Sequence, residues 1–99
     1  MTPILFSLLF ACANEQGRVD DILALDGDPV NGEAVFAAEC ATCHAEDGTG
    51  GSGPNIAGGV SPEKVAEFVL FGEEDMPAYD GDLEDQDIAD VVAFVSEVL

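Results

Sequence analysis

Cationic side chains are almost missing from this sequence. Arg18 and Lys64 are the only two, against 21 Asp and Glu, and the formal charge is −19. Nucleic acid and anionic lipid surfaces, which are held through Lys and Arg, are therefore poor partners. Two readings of the acidity remain: docking to a basic protein surface, or solubility of the kind seen in proteins adapted to high salt. Histidine occurs once, at His44, and methionine twice, at Met1 and Met76. The apolar run from Ile4 to Ala11 is too short to span a bilayer, which takes ~20 residues. No segment shows the apolar–polar alternation of a half-buried strand. A chain of 99 residues is at most one domain, and a core this small is usually fastened by a disulfide, metal or cofactor.

What is present begins with the cysteines. Three of them cannot all pair within one chain, and Cys12 stands apart from Cys40 and Cys43. The Ile4–Ala11 run has the length of an export-signal core, roughly 7–15 residues. It ends in Leu9-Phe10-Ala11-Cys12, which resembles a bacterial lipoprotein signal. That reading makes 1–11 a signal, Cys12 the lipidation site, 12–27 a flexible acidic tether and 28–99 the folded domain. It places the domain on the periplasmic side of a bacterial membrane, lipid-anchored through Cys12. With an incidental Cys12 the protein would be soluble and periplasmic.

Three helices are expected in 28–99. Asp28-Pro29 and Ser61-Pro62 each offer an N-cap followed by proline at the first helical position. Val65, Phe68 and Val69 share a face of the second helix, which Gly72 closes. In the third, Ile88, Val91, Val92, Val95 and Leu99 recur at helical spacing among acids. The glycine-rich stretch 46–59 reads as a loop. The class is all-α.

Cys40-Ala41-Thr42-Cys43-His44 reads as a c-type haem attachment site. Two thiols three residues apart on one helical turn can each add to a vinyl group of the same haem, and the adjacent imidazole can reach the iron. A thioredoxin-like pair needs a strand–helix setting that is missing here. A zinc site wants four ligands, usually from two such knuckles. A plain Cys40–Cys43 disulfide leaves His44 without a role. With one histidine in the chain and Met1 in the leader, Met76 in "DMPAYDG" is the sixth-ligand candidate. Tyr79, Lys64 and an open iron position are the alternatives.

With these motifs in order, residues from about Asp28 to Leu99 resemble a small bacterial class I cytochrome c with His/Met ligation. The resemblance implies three to four helices wrapped around one haem bound covalently through Cys40 and Cys43. Gly32 and Phe36 resemble the family's glycine–aromatic pair on the N-terminal helix, with Phe94 as the aromatic on the C-terminal one. Pro54 resembles the proline whose carbonyl accepts from the ligating imidazole. By the same analogy, Phe36, Val65, Phe68, Val69 and Val91 would enclose the haem, and the polypeptide alone would show a central apolar cavity. The short spacing from His44 to Met76 places the chain among forms with a reduced loop. The lysine ring of mitochondrial-type members is absent.

The function expected is a monohaem electron carrier between respiratory partners outside the cytoplasmic membrane, with no enzymatic activity of its own. The rivals are a haem subunit or sensor with an open sixth position, and a haem-free thiol redox protein. The acids Glu73, Glu74, Asp75, Asp80 and Asp82 flank Met76 and would steer a basic redox partner.

Overall fold

The computed structural model describes residues 15–99; the signal at 1–11 and Cys12 lie outside the described residues. Helix α1 runs over residues 15–23. It is followed by α2 (Pro29–Glu39), α3 (Ala41–His44), α4 (Pro62–Phe71) and α5 (Asp85–Glu97). Among the described residues there is no strand, only isolated bridges at Glu73–Met76 and Asp80–Leu83. The all-α expectation holds.

The start signals work as their chemistry requires. Asp28 accepts the N–H of Val30 at 2.9 Å ahead of Pro29, and Ser61 Oγ accepts the N–H of Lys64 at 3.3 Å ahead of Pro62. Helix α4 stops at Gly72, whose φ of 71° few other residues adopt without strain. Helix α5 lacks a side-chain cap, but Asp85 and Asp87 in its first turn face the positive end of the helix dipole.

Helices α2 and α5 pack closely against each other. Gly32 makes this approach possible, because a Cβ there would lie 2.0 Å from the Asp90 carbonyl oxygen. Phe36 and Phe94 fill the space beside it with ring centroids 5.3 Å apart, tilted by 55°. Asp90 is buried in the same contact. Its carboxylate accepts from the backbone N–H of Asp28 at 2.7 Å, Asn31 Nδ2 at 2.7 Å and Gln86 Nε2 at 2.8 Å. Burial pushes this carboxyl up, but the three donors outweigh it and hold the group below the usual carboxylate range.

Residues 15–23 correct the expected tether. They are helical, and Val19 and Ile22 are 3% and 1% exposed within the main core. Each such burial contributes about 1.5–3 kcal/mol relative to an exposed side chain, enough to dock a short helix. The polar, acidic composition suggested solvation, whereas two apolar residues three apart suffice to make one buried face. This extra layer also explains why α5 is buried from Ile88 to Val95, well beyond a single apolar stripe. Leu99 lies past the end of α5, where its carbonyl accepts from Gly58 N–H at 2.9 Å.

Candidate haem site

Cys40 ends α2 and opens α3, the single helical turn that carries Cys43 and His44. The N–H groups of Cys43 and His44 both reach the Cys40 carbonyl, at 3.2 and 3.0 Å. Ala45 leaves the turn at φ 67°, and the chain folds back beneath it. Gly50 N–H donates to the His44 carbonyl at 2.9 Å and Gly53 N–H to the Cys43 carbonyl at 2.8 Å. Asp47 holds this return by accepting from both the N–H and the hydroxyl of Thr49.

The return delivers Pro54. Its carbonyl oxygen lies 2.8 Å from His44 Nδ1, and His44 is 8% exposed. A carbonyl can only accept, so Nδ1 carries the proton and Nε2 keeps its lone pair. Gly53 closes against the ring: a Cβ there would lie 2.9 Å from His44 Cε1 and 3.0 Å from Nδ1. The imidazole is held along its Nδ1–Cε1 edge, which leaves the lone pair of Nε2 outside these contacts. Cys43 is exposed and Cys40 half-buried. Burial first, then the charges of Glu39 and Cys43, pushes the Cys40 thiol up to about 11. Two thiols on one turn beside a tautomer-fixed imidazole are a donor set that fits covalent haem.

Met76 sits in the excursion between α4 and α5. The segment leaves α4 at Gly72 and pairs Glu73 with Met76 in a tight turn, N–H to carbonyl at 3.1 and 2.6 Å. It returns with the N–H of Tyr79 on the Val69 carbonyl at 2.9 Å and that of Asp80 on Leu70 at 3.1 Å. Both feet of the loop thus rest on the last turn of α4. Tyr79 adds a longer strap, its hydroxyl donating to the Glu39 carbonyl at 3.1 Å, one residue before Cys40. Burial pushes the Tyr79 phenol up, helped by the charges of Cys40, Glu39, Cys43 and Asp82. A protonated, donating Tyr79 is poorly suited to bind iron. Lys64 is exposed, its Nζ 5.8 Å from the centre of the Phe68 ring.

Of the residues expected around the haem, Phe36, Val65, Val69 and Val91 are buried in one core, with Cys40, Met76 and Tyr79 half-buried against it. Phe68 is half-buried outside that cluster, under Lys64. Phe36 is occupied by Phe94 at the helix contact. Two clefts lie against α1, apart from the attachment turn and Met76. One is lined by Glu15, Gln16, Val19, Glu67 and Phe71, and the other by Ile22, Leu25 and Ala89 among others.

Residues 27–95 match the family described as cytochrome C oxidase, cbb3-type, subunit III. The chain belongs to this family of c-type cytochromes. It is 35% identical over 86 residues to a cytochrome c6 of Nostoc sp., covering 73% of this chain and 72% of that one. A menaquinol:cytochrome c reductase cytochrome c subunit of Geobacillus thermodenitrificans is 32% identical over 66 residues, covering 66% of this chain but 26% of that protein. Among solved structures, cytochrome c6 from the diatom Phaeodactylum tricornutum superposes with a TM-score of 0.63 at 35% identity, over 70% of this chain and 91% of that one. The cytochrome is a monohaem electron carrier with covalently bound haem c. Helix α1 precedes the family match.

Sequence reasoning missed two participants in this site. Gly53 is hidden in a run of glycines with no local signal of its own. Tyr79 fastens the Met76 loop through its hydroxyl, to a carbonyl 40 residues away that no local pattern links to it.

Proposed function

We propose that Cys40 and Cys43 would form the two thioethers, that His44 Nε2 and the Met76 thioether would hold the iron, and that the cytochrome passes single electrons between respiratory partners without enzymatic activity of its own. The 2.8 Å contact between His44 Nδ1 and Pro54 O carries this reading, because it leaves Nε2 as the imidazole's one free donor. Haem supplies the one-electron chemistry when bound, its iron cycling between two oxidation states. The chain supplies rigidity and electrostatics. The Pro54 bond fixes the tautomer of His44 and makes it a stronger donor. The α4 feet and the Tyr79 strap hold the Met76 loop. Buried Val65, Val69 and Val91 keep water from the core side, which favours the less charged, reduced state.

A respiratory setting is supported by the family description and by the reductase-subunit relative. Among the described residues no helix is long and apolar enough to cross a membrane. We place the domain on the outer side of a bacterial inner membrane, anchored by acylation of Cys12. Glu73, Glu74, Asp75, Asp80 and Asp82 are all exposed around the Met76 loop, and this charge would meet a redox partner with a basic surface.

The test is a pyridine haemochrome spectrum of protein exported to the periplasm. A spectrum of haem held by two thioethers is expected; absence of Soret absorption would sink the assignment in favour of a thiol protein. With a basic redox protein as partner, stopped-flow reduction should slow as ionic strength rises. Rates flat with salt would instead favour acidity as a device for solubility.

A further inference from the structure

Arg18, one of the two cations in the chain, lies on α1, ahead of the family match. Its side chain does not serve α1 alone. Nη2 contacts Asp80 Oδ1 at 2.9 Å and Asp85 Oδ1 at 2.8 Å, and Nη1 contacts Asp85 Oδ2 at 3.3 Å. A weaker contact of 3.5 Å runs from Nη1 to Asp21 on its own helix. Asp85 opens α5, and Asp80 is the foot at which the Met76 loop returns to α4. One guanidinium therefore ties together α1, the start of α5 and the end of the Met76 loop. The Asp85 pair is bidentate, the geometry in which a partly exposed ion pair retains strength.

The surrounding charge sharpens this. Asp80 and Asp85 approach the same nitrogen, so without Arg18 two carboxylates face each other in a chain already at −19. Loss of Arg18 removes an attraction and exposes a repulsion that pushes Asp80 away from α5. That push acts four residues from Met76, on the loop's returning foot. The other fastenings, from Tyr79 and the Asp80 N–H, must then hold the loop alone.

We propose that Arg18 is a positioning residue for the loop that carries Met76, so that α1 helps to keep the thioether in place for the iron. The proposal rests on the reading of Met76 as the axial ligand. In the oxidised holoprotein, imidazole should displace Met76 roughly three- to tenfold faster in Arg18→Gln than in wild type, the range expected for a partly exposed multi-contact pair. Asp80→Asn, which leaves the Asp85 pair intact, should speed displacement less. The difference between Arg18→Gln and wild type should shrink at high salt, where both the attraction and the repulsion are screened.

Two controls separate positioning from plain stability. Asp90→Asn weakens the α2–α5 contact without touching the loop and should leave imidazole rates within about twofold of wild type. Amide hydrogen exchange reads the loop independently of iron: Arg18→Gln should speed exchange at Tyr79 and Asp80 selectively, and Asp90→Asn should not. Wild-type imidazole rates and wild-type protection at Tyr79 and Asp80 in Arg18→Gln would overturn the proposal. So would acceleration no greater than that of Asp90→Asn. A wild-type protein without the red charge-transfer band of a methionine–iron bond would overturn the Met76 assignment instead, and the amides then decide whether Arg18 holds the loop.

Discussion

Met76→Ala should yield a folded cytochrome that has lost its red charge-transfer band, binds carbon monoxide readily when reduced, and has a lower reduction potential. The thioether favours the reduced iron, and no second histidine exists to replace it. Folding should survive because the loop's hold on α4 is made by backbone groups. Gly72, Tyr79 and Asp80 donate to Phe68, Val69 and Leu70 whatever side chain stands at position 76. Met76 is half-buried, so truncation should cost less than the roughly 2–5 kcal/mol typical of a fully buried methionine. Visible and near-infrared absorption, carbon monoxide titration and a redox titration on wild type and variant decide the matter. A variant with the wild-type spectrum would move the ligand elsewhere, with Lys64 next in line. Ready carbon monoxide binding by wild type would favour a sensor or a labile-ligand subunit.

Gly32→Ala should be the most damaging small substitution in the fold. The added methyl would stand 2.0 Å from the Asp90 carbonyl oxygen, 2.6 Å from its carbon and 2.9 Å from Phe94 Cβ. Two of these are backbone atoms of a buried helix, which cannot swing aside as a side-chain tip can. Helices α2 and α5 must separate, loosening the Phe36–Phe94 contact and the hydrogen bonds that satisfy Asp90. Overpacking of this kind costs about 1–3 kcal/mol or more, against a total of roughly 5–15 kcal/mol for a domain. At about 4–8 °C per kcal/mol, the melting temperature should fall by roughly 4–24 °C. Gly17→Ala is the natural comparison, since nothing lies within 4 Å of a Cβ there. Within α1 that change should stabilise by about 0.5–1 kcal/mol through helix propensity. Thermal melts followed by far-ultraviolet circular dichroism test both. A Gly32→Ala protein melting within a few degrees of wild type would refute the close contact.

Much of this was legible because the controlling interactions are local. The caps at Asp28 and Ser61, the stop at Gly72 and the buried positions of α5 each depend on residues a few positions apart. The attachment turn is more local still, and Pro54 lies ten residues from the imidazole it orients. Other features were not legible, for a matching reason. Arg18 finds its partners 62 and 67 residues away, and the Tyr79 hydroxyl finds Glu39 across 40. No periodicity carries such information. Helix α1 was concealed by its acidic residues, since a short helix needs only Val19 and Ile22 to declare an inside. The contact of Lys64 with the Phe68 ring is a side-chain matter that helical spacing alone does not show.

The place of α1 bears on where this protein's folding unit begins. A boundary drawn where the family match starts would cut at residue 27. It would bare the apolar floor that Val19 and Ile22 cover and leave Asp80 and Asp85 without their counter-ion. A shortened chain would keep every group proposed to hold haem, yet expose a sticky patch beneath a strongly acidic surface. The unit that packs as one piece is thus larger than the unit recognised by likeness.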